Sequence, residues 1–574
     1  MNYRQEYEKW LASPALSEEE RAELKAIAND EKEIENRFYG PLEFGTAGLR
    51  GTMYVGLHNM NRHVIRWATQ GFANVIRAEG EAAMQKGVAI CMDCRNHSTE
   101  FAREAACVMA GNGIAVRLFE SLRPTPELSF AVREYGCTAG INVTASHNPK
   151  EYNGYKAYWA DGAQVTPPHD KNIIAEVEKI TSPDEVLTTQ SKDNITILDE
   201  TFDEIYLDAV HGLSLSPEAI AANRDMKIVY TPLHGTGVIL VPASLRKFGF
   251  RNIITVKEQN IPDGNFPTVV SPNPEERATM KMALDLAAKE KADLVLATDP
   301  DADRIGVAIP NENGEYILLN GNQTCALLTY YLIKRWSDLG RLDGKQYIIK
   351  TIVTTGLINR IAEAFGVKCF ECLTGFKYIA EIIREHEGKM QYIGGGEESF
   401  GFLAGDFVRD KDAVSACSLA AEAAAWARTQ GMTLYDLLKD IYVKYGFYKE
   451  AMVYIVRKGK EGADEIKKMM DDYRANPPKT IGGSPVITIK DYLSSESLDV
   501  RDGKRSTIGM EKSNVLQFST ENNTIVSIRP SGTEPKIKYY FGICEKLPSK
   551  EQFDAVQQKL DKRLKELETE LNLD

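Results

Sequence analysis

The chain has 574 residues, of which 43% are hydrophobic and 26% charged, and its formal charge at pH 7 is −13. This length is too great for one hydrophobic core and predicts about three or four domains of ordinary globular composition. An acidic chain lacks the excess of lysine and arginine that holds a phosphate backbone. The composition therefore disfavours an open nucleic-acid-binding surface, and any phosphate must bind in a local basic pocket.

The N-terminus and the cysteines favour a soluble cytoplasmic protein with no membrane partner. The first residues, MNYRQEYEKW, contain no apolar core of the signal-peptide type, and no run of about 18 apolar residues occurs. Nine cysteines, an odd number, suit a reducing compartment better than a disulfide framework. The CxxC pairs at Cys91/Cys94 and Cys369/Cys372 lie far apart in or beside strand-like runs, which favours free core cysteines over a zinc or redox site.

Strand-length apolar runs alternate with helical patterns over most of the chain, which predicts α/β units with mainly parallel sheets. A charged helix is expected over Leu16 to Asn36, before the first unit. A strand, a turn or loop, a helix and a second strand then recur three times, which predicts three similar domains. The strand pairs are Val88–Asp93 with Ile114–Glu120, Lys227–Leu233 with Asn252–Glu258, and Tyr347–Val353 with Val367–Glu371. In the first unit, Ser98 is expected to cap the helix, which ends near Gly111.

The region from about Tyr445 differs, because its apolar segments have β character and its end is an amphipathic helix. The helix carries one apolar face, formed by Phe553, Val556, Leu560, Leu564, Leu567 and Leu571. Because this face lasts for fewer than three heptads, we expect it to pack on its own domain and not on a coiled-coil partner.

The segment Thr144 to Lys156, TASHNPKEYNGYK, predicts phosphate chemistry at a serine. It follows the buried strand Gly140 to Val143, so Ser146 falls where a strand passes into a loop. Gly154 is expected to let the backbone turn before Lys156. The neighbouring His147 suggests a hydrolase, but the nucleophile elbow GxSxG is absent and a triad histidine comes from elsewhere in the chain.

Asp299, Asp301 and Asp303 stand at alternate positions of one loop, in ATDPDADRIGV, between two apolar strands. Three such carboxylates repel each other unless a cation offsets their charge, and carboxylate oxygens suit Mg²⁺ or Ca²⁺. An EF-hand is excluded, because its sixth and twelfth positions would be Arg304 and Pro310. Three protein ligands leave room for a phosphoryl oxygen or a water molecule.

Two further loops predict ligand binding. In GGGEESFG, the glycines permit close approach of the backbone, and Glu397 and Ser399 offer groups suited to sugar hydroxyls. In RPSGTEPKIK, Arg529, Ser531, Gly532 and Thr533 have the composition of an anion-binding loop and supply the local positive pocket. Each motif alone also fits an ordinary surface turn.

Taken together, these motifs resemble those of the α-D-phosphohexomutases. TASHNPKEYNGYK closely matches the loop in which the serine of that family carries a phosphoryl group, and the other motifs follow in the expected order from about Phe44 to Lys538. The segment FGTAGLRG adds Arg50, which matches an active-site arginine. Its TAG, where many members have TSG, resembles the phosphoglucomutase-2-like branch, which includes enzymes that prefer pentose phosphates.

The resemblance implies a role for each motif. Ser146 would be a phosphoserine, and its oxygen would join Asp299, Asp301 and Asp303 around one Mg²⁺. Arg50, His147, Lys156 and Lys411 would serve catalysis, with Lys411 a candidate acid or base. The substrate would contact Arg304, Thr374, Lys377, Glu397, Ser399 and the loop of Arg529, Ser531, Gly532 and Thr533.

The resemblance also implies a four-domain architecture with the active site in a central cleft. Three similar α/β domains with mixed sheets would span 1–206, 207–316 and 317–440, and a smaller α+β domain would span 441–574. The expected reaction interconverts α-D-glucose 1-phosphate and α-D-glucose 6-phosphate, with glucose 1,6-bisphosphate as intermediate and activator. The partner is a small sugar phosphate, and the protein is expected to be a monomer or weak dimer.

Three alternatives remain. A phosphopentomutase or sugar-bisphosphate synthase of the same family would share every catalytic residue. A Mg²⁺-dependent phosphatase would release free phosphate without isomerising the sugar. A non-catalytic sugar-phosphate sensor is disfavoured by the intact serine and aspartates.

Overall fold

The computed structural model describes residues 2–42, 48–180, 185–457, 459–531 and 536–573. The chain forms two compact units. Unit 1 comprises Met1–Leu319, Ala380–Glu387 and Phe400–Thr429, and unit 2 comprises Asn320–Ile379, Gly388–Ser399 and Gln430–Asp574. None of the helices in the described ranges is both long and apolar enough to cross a membrane.

The N-terminal segment of unit 1 folds as three short helices, α1 (Tyr3–Ala12), α2 (Glu18–Ala26) and α3 (Glu31–Phe38). The single helix predicted over Leu16 to Asn36 is therefore wrong. Asp30 interrupts it, because its side chain accepts a hydrogen bond from the Glu33 amide and caps α3. The apolar sides of the helices meet in a buried cluster that includes Tyr7, Trp10 and Phe38.

The first mixed sheet follows. Its elements are β1 (Leu49–Thr52), α4 (Arg62–Ala78), α5 (Glu81–Lys86), β2 (Val88–Met92), α6 (Ser98–Gly111), β3 (Val116–Phe119), α7 (Thr125–Glu134), β4 (Ala139–Val143), β5 (Tyr152–Trp159), α8 (His169–Glu178) and β6 (Ile195–Leu198). The strand order is β1-β5-β4-β2-β3-β6. Strands β4, β2, β3 and β6 are parallel, whereas β5 and β1 are antiparallel to their neighbours. Every residue of β2 and β4 is buried, as expected for central parallel strands.

One detail of this sheet corrects the sequence prediction. The N-cap of α6 is His97, and Ser98 is the first helical residue. The Ser98 hydroxyl donates instead to Asp93 Oδ1, at 2.7 Å, and so ties the helix to the end of β2.

The second mixed sheet contains the aspartate loop. Its elements are α9 (Glu200–His211), α10 (Pro217–Ala222), β7 (Ile228–Thr231), α11 (Gly237–Phe248), β8 (Ile253–Thr255), α12 (Arg277–Glu290), β9 (Leu294–Thr298), β10 (Ile305–Pro310) and β11 (Tyr316–Leu319). The strand order is β11-β10-β9-β7-β8. Strands β9, β7 and β8 are parallel, and β10 returns antiparallel to β9. The aspartates therefore lie in the short connection between two paired, buried strands.

The third α/β segment comprises α13 (Gly321–Asp338), β12 (Gln346–Thr351), α14 (Leu357–Ala364), β13 (Lys368–Cys372), α15 (Phe376–His386), β14 (Gln391–Gly396), β15 (Phe402–Ala404) and α16 (Ala413–Thr429). In unit 2, β12 pairs in parallel with both β13 and β14. In unit 1, the alanine-rich α16 packs on α9, α10, α11, β9 and β10. Fifteen of its residues are buried, because it is covered on all sides.

The C-terminal region of unit 2 has an antiparallel sheet. Its elements are α17 (Leu434–Tyr445), β16 (Phe447–Val456), α18 (Gly459–Ala475), β17 (Thr480–Ile481), β18 (Ser484–Asp491), β19 (Glu496–Asp499), β20 (Arg505–Thr507), β21 (Leu516–Thr520), β22 (Ile525–Pro530), β23 (Lys536–Glu545) and α19 (Phe553–Glu570). The strand order is β16-β23-β22-β21-β18-β19-β20, with β17 paired to β18. Helix α19 packs on β23 and β16, with Phe553, Leu560, Leu564 and Leu567 buried. The predicted packing of this helix on its own domain is confirmed.

The chain thus contains three mixed α/β domains and a C-terminal domain with an antiparallel sheet, as predicted. All nine cysteines are free. Cys91 and Cys372 are buried, and burial raises the pKa of each thiol well above its usual value. Raised thiol pKa values fit the predicted core cysteines and disfavour a redox pair.

Candidate active site

Ser146 lies where β4 ends and the chain turns toward β5. Its φ is 52°, in the left-handed region, which costs a residue with a side chain roughly 1–2 kcal/mol. The Ser146 amide donates to the Thr144 hydroxyl at 2.9 Å, which helps to hold this turn. The buried Ser146 Oγ donates to Asp299 Oδ2 at 2.8 Å and lies 3.2 Å from His147 Nδ1. The hydroxyl is therefore fixed in a strained turn and faces a carboxylate.

The prediction that Gly154 forms a turn is wrong. Gly154 lies inside β5 and is paired with Arg50 of β1. A Cβ atom at Gly154 would stand 2.5 Å from the Thr144 carbonyl oxygen. Glycine is required there because the phosphate loop, Thr144 to Tyr152, passes directly against the strand.

Asp299, Asp301 and Asp303 are all buried in the loop between β9 and β10. One ligand oxygen from each can be chosen so that the three atoms lie within 4.8 Å of one another. Asp299 Oδ1 accepts from the amides of Asp303, at 3.1 Å, and Arg304, at 3.0 Å, so the loop curls around this carboxylate. The predicted grouping of the aspartates is present in the structure.

The donor set fits a divalent cation. Asp301 Oδ1 and Asp303 Oδ1 are buried, and neither has a hydrogen-bond partner among the residues that the structure describes. Buried carboxylate oxygens are costly unless a cation or a donor offsets their charge. A group of carboxylate oxygens with room for further ligands is the kind of site that Mg²⁺ occupies. These aspartates could therefore hold a metal ion.

Two buried lysines flank the aspartates. Lys156 Nζ, from β5, lies 2.8 Å from Asp301 Oδ2 and 3.4 Å from Asp303 Oδ2. Lys411 Nζ lies 3.1 Å from Asp303 Oδ2 and 3.1 Å from Asp410 Oδ1. Burial acts against the charged amine of Lys156, but Asp301 and Asp303 together raise its pKa above its usual value. The lysines thus supply positive charge within the cluster.

The aspartates differ in their electrostatic surroundings. Burial, together with Asp301 and Asp303, raises the pKa of Asp299 well above its usual range. Burial acts in the same direction on Asp301, but Lys156, Thr125 and Lys411 together outweigh it and hold the pKa of Asp301 below its usual range. Neighbouring side chains therefore offset only part of the negative charge of the three aspartates beside Ser146.

Arg50, Arg304 and His147 lie around the same loop. Arg50 is exposed, and its Nη1 donates to Asn148 Oδ1 at 3.0 Å. Arg304 Nη1 donates to Glu275 Oε1 at 2.9 Å. Burial, with Arg304 and Arg50 adding to it, lowers the pKa of His147 well below its usual value, so the ring is neutral at pH 7. This neutral imidazole beside Ser146 stands in a positive environment.

Unit 2 contains the predicted sugar-facing loop at the end of β14. Glu397 is buried and Ser399 is half-buried. Between them, Glu398 accepts hydrogen bonds from the hydroxyls of Thr351, at 3.0 Å, and Thr354, at 3.2 Å. These contacts tie the side chain of Glu398 to the residues at the end of β12. Glu398 was not selected from the sequence, although it lies between the two residues that were.

The other predicted residues of unit 2 lie on two elements. Thr374 precedes α15, and its hydroxyl is buried with no hydrogen-bond partner among the described residues. Lys377, on α15, places its Nζ 5.0 Å from the centre of the Tyr378 ring. Thr374 and Lys377 therefore lie just before and just inside the first turn of one helix.

Arg529 lies on β22, and Ser531 follows the end of that strand. Burial raises the pKa of Tyr540 to about 12, nearby carboxylates add to the shift, and Arg529 opposes it. Arg529 is thus within electrostatic reach of Tyr540, inside the antiparallel sheet. Gly532 and Thr533 of the predicted phosphate-binding loop lie outside the described residues.

Sequence reasoning missed Thr125 and Asp410, which support the cluster. The Thr125 amide donates to the Asp301 carbonyl at 2.8 Å, and its hydroxyl donates to Asp301 Oδ2 at 2.8 Å. Asp410 accepts from Lys411 and, at 2.8 Å, from the Tyr158 hydroxyl. Thr125 follows the carboxyl end of β3, a usual place for site residues in parallel sheets, so its position offered a signal. For Asp410, the only signal in the sequence was its position next to Lys411.

Comparison with known proteins shows the same architecture along nearly the whole chain. Family models described as Phosphoglucomutase/phosphomannomutase, alpha/beta/alpha domains I, II and III match residues 41–184, 204–314 and 320–445. A Staphylococcus aureus protein named Phosphoglucomutase is 38% identical over 540 residues, which cover 94% of this chain and 95% of the relative.

Solved structures show the same fold. The open form of Paramecium pp63/parafusin matches with a TM-score of 0.67 at 18% identity, covering 92% of this chain and 96% of the other. A Thermus thermophilus protein described as a phosphomannomutase matches with a TM-score of 0.66 at 22% identity, covering 88% of this chain and 96% of the other.

Proposed function

This chain belongs to the phosphoglucomutase/phosphomannomutase family, and from that membership we propose that it interconverts α-D-glucose 1-phosphate and α-D-glucose 6-phosphate. The choice of glucose rests on the 38% identity to the relative named Phosphoglucomutase, over nearly all of both chains. The enzyme is accordingly an intramolecular phosphotransferase of the isomerase class.

One observation carries the chemical part of the proposal. Ser146 Oγ lies 2.8 Å from a carboxylate oxygen of Asp299, beside buried oxygens of Asp301 and Asp303 that have no hydrogen-bond partner within the described chain. A phosphoryl group on this serine would stand next to a site built for a cation. If Ser146 only capped a turn, its hydroxyl would not need a buried group of carboxylates beside it.

In the proposed reaction, Ser146 rests as a phosphoserine. The free hydroxyl of the sugar phosphate attacks the phosphorus atom, a new O–P bond forms, and the bond from phosphorus to Ser146 Oγ breaks. The sugar hydroxyl gives up its proton, and the leaving Ser146 Oγ takes up one in its place. The product of this half-reaction is glucose 1,6-bisphosphate. After the intermediate turns end for end, Ser146 Oγ attacks the phosphorus atom of the other phosphate, the Oγ–P bond forms and the bond from phosphorus to the sugar oxygen breaks. The proton lost by the serine hydroxyl is replaced on the sugar oxygen, and the isomerised sugar phosphate leaves.

Asp299, Asp301 and Asp303 would hold Mg²⁺, which when bound supplies positive charge to the phosphoryl oxygens. Lys156 and Lys411 stand beside the same carboxylates, where their ammonium groups can donate protons and stabilise negative charge. Positioning and charge offset supply most of the rate enhancement in phosphoryl transfer. Glucose 1,6-bisphosphate would activate the enzyme by phosphorylating Ser146.

The remaining site residues are assigned by their match to the family. Arg50, Arg304 and His147 would contact the transferring phosphoryl group or the substrate, and the neutral His147 ring would steady the phosphoryl group. Glu397 and Ser399 would receive the sugar hydroxyls. Thr374, Lys377, Arg529, Ser531, Gly532 and Thr533 would complete the substrate contacts, with the last four holding the phosphate that is not being transferred.

We also propose four domains at 1–206, 207–316, 317–440 and 441–574, a cytoplasmic location, and a monomer or weak dimer. The three family models support division of the first three domains, because each model covers one α/β segment. The acidic composition disfavours a nucleic-acid partner. The natural partner is a small sugar phosphate.

The experiment compares wild type with Ser146→Ala, and uses Ser191→Ala, at an exposed serine, as the matched control. Glucose, mannose and ribose 1-phosphates are offered with Mg²⁺ and a trace of glucose 1,6-bisphosphate, while isomerised sugar and free phosphate are both measured. Wild type and the control should isomerise glucose 1-phosphate fastest, and Ser146→Ala should be inactive. Activity in Ser146→Ala would overturn the mechanism, free phosphate alone would indicate a phosphatase, and preference for ribose 1-phosphate would indicate a phosphopentomutase.

A further inference from the structure

Arg95 is a fully buried side chain that the proposed reaction does not use. It follows β2, two residues after Asp93, in the segment CMDCRNHS. The side chain has 0% exposure, and so does that of Asp93, whose Oδ2 lies 3.3 Å from Arg95 Nε. A buried guanidinium is costly unless all its donors are used, so its partners indicate why it is there.

The partners of Arg95 are the carbonyl groups of the phosphate loop. Nη2 donates to the carbonyl oxygens of Ser146, at 2.6 Å, and Asn148, at 2.5 Å. Nη1 donates to those of Pro149 and Tyr152, both at 2.9 Å. Four carbonyls within seven residues therefore converge on one planar cation, and the backbone of the loop is wrapped around it.

A second set of contacts fixes Arg95 itself. Asp93 Oδ1 accepts from the Arg95 amide, at 2.9 Å, and from the Ser98 hydroxyl, at 2.7 Å. Thr144 Oγ1 donates to Asp93 Oδ2, at 2.7 Å, and in turn accepts a hydrogen bond from the Ser146 amide. Both the amide and the carbonyl of Ser146 are thus connected to the segment Asp93–Arg95, one through Thr144 and the other directly.

We propose that Arg95 is a positioning residue for phosphoryl transfer, which holds Ser146 in the left-handed conformation that directs its Oγ toward Asp299. The inference rests on the proposed function of Ser146. Left-handed backbone at a residue with a side chain persists only where the surroundings hold it, and the Arg95 contacts supply that restraint on the carbonyl side of Ser146.

The geometry distinguishes this role from direct phosphate binding. Four N–H groups of Arg95 donate to backbone carbonyls, and Nε lies 3.3 Å from Asp93 Oδ2 as an ion pair, without a hydrogen bond to any described residue. The ring of Phe266 lies 5.1 Å from the guanidinium carbon and covers the group. With both terminal nitrogens donating to the loop and the charge paired with Asp93, Arg95 acts on the phosphoryl group only through the position of Ser146.

The role requires a planar group with donors on several sides. A lysine at position 95 would keep the positive charge, but its ammonium is a compact group with only three donors and cannot satisfy four carbonyls around a fork. Loss of the restraint would let Ser146 move relative to Asp299, and a misplacement of about 1 Å costs roughly a hundredfold in rate. Substrate binding should change little, because the partners of the Arg95 side chain in the described part of the chain are the phosphate loop, Asp93 and Phe266.

The test compares Arg95→Lys with Arg123→Lys in the full-length enzyme. Arg123 is the matched control, because it is also a buried arginine of unit 1 but pairs with Asp203 and not with the phosphate loop. For each variant, kcat and KM for glucose 1-phosphate, the thermal unfolding midpoint, and amide hydrogen exchange in residues 145–152 are measured.

Arg95→Lys should lower kcat about a hundredfold, leave KM within about threefold of wild type, and speed exchange in residues 145–152. Arg123→Lys should lower the unfolding midpoint but leave kcat and that exchange near wild type. The inference is overturned if folded Arg95→Lys keeps kcat within about twofold of wild type, or if Arg123→Lys produces the same fall in kcat and the same rise in exchange.

Failure of the proposed function gives a different pattern. In that case wild type itself would not isomerise glucose 1-phosphate, or Ser146→Ala would remain active. The proposed positioning role of Arg95 in phosphoryl transfer would then be wrong as well. Exchange in residues 145–152 that did not rise in Arg95→Lys would separately overturn the restraint on the loop.

Discussion

Lys156 donates a 2.8 Å hydrogen bond to Asp301, which lies 145 residues further along the chain. The bond joins β5 of the first sheet to the loop between β9 and β10 of the second, inside unit 1. Both side chains are buried, so the ammonium is one of the charges that offset the clustered aspartates. Strand β5 and the candidate metal site are therefore joined by a buried ion pair.

Lys156→Met should destabilise the protein by about 3–5 kcal/mol, because removing one partner of a buried pair leaves the other charge uncompensated. Thermal unfolding with and without Mg²⁺ checks this, and added Mg²⁺ should raise the midpoint of the variant more than that of wild type. Lys150→Met, at an exposed lysine of the phosphate loop that precedes β5, is the control. Equal midpoints for the two variants would contradict the assigned charge balance.

Asp303→Asn should weaken Mg²⁺ binding and reduce mutase activity at least tenfold, because one of three carboxylate ligands is lost. Titration of Mg²⁺ by calorimetry measures the binding, and the coupled isomerase assay measures the activity. Asp285→Asn, at an exposed aspartate of α12, should match wild type in both. Unchanged Mg²⁺ affinity in Asp303→Asn would show that the ion binds elsewhere.

Glu450 should make stability fall as pH rises through the weakly acidic range. Burial raises the pKa of Glu450 to about 7, against opposing effects of the Thr355 hydroxyl and Lys350. Between the usual carboxyl pKa of about 4.5 and this value, the folded state binds more protons than the unfolded state. The stabilising effect of the proton is thus present below about 4.5 and is lost as pH rises to about 7.

Glu450→Gln should remove that slope and make the protein more stable than wild type at pH 8, because a neutral amide replaces a buried carboxylate. Urea unfolding at pH 5 and pH 8 measures the difference. Glu511→Gln, at an exposed glutamate of the same unit, should keep the wild-type slope. A wild-type slope in Glu450→Gln would show that Glu450 is not the titrating group.

Phe38→Ala should lower the free energy of unfolding by about 3–5 kcal/mol, because Phe38 has 0% exposure in the N-terminal cluster. The adjacent Tyr39, which is 54% exposed, offers the control Tyr39→Ala, whose effect should be much smaller. Chemical denaturation measures both. Equal effects would mean that the three N-terminal helices do not form the described core.

The fold class and the grouping of the aspartates followed from local patterns in the sequence. Strand-length apolar runs such as Val88–Asp93 mark buried parallel strands, and alternate carboxylates in one loop need a cation, so neither inference required tertiary structure. The grouping was then confirmed in the loop between β9 and β10. These features are encoded by neighbouring residues.

Other features depend on residues that are distant in sequence, and these could not be predicted. Gly154 was expected to form a turn, but its need for glycine comes from the Thr144 carbonyl on the neighbouring chain segment. Arg95 lies more than 50 residues before the carbonyls that it binds, and its sequence context shows only that it follows a strand. The positive φ of Ser146 is likewise found together with these tertiary contacts.

The break between α2 and α3 was overlooked for a different reason. The charged stretch from Leu16 to Asn36 has helical composition throughout, which led to the prediction of one helix. Asp30 is a capping residue by type, and in the structure its side chain begins α3. The capping signal of Asp30 was therefore present in the sequence, but it was overlooked because charged residues continue on both sides of it.

The most direct test of the central claim follows one phosphoryl group. The enzyme is incubated with glucose 1,6-bisphosphate carrying labelled phosphate, freed of sugar, digested to locate the label, and in a parallel sample mixed with unlabelled glucose 1-phosphate and Mg²⁺. The account predicts label on Ser146 and its transfer to the sugar within one turnover. Label on another residue, or a labelled Ser146 that does not pass its phosphate to the sugar, would contradict it.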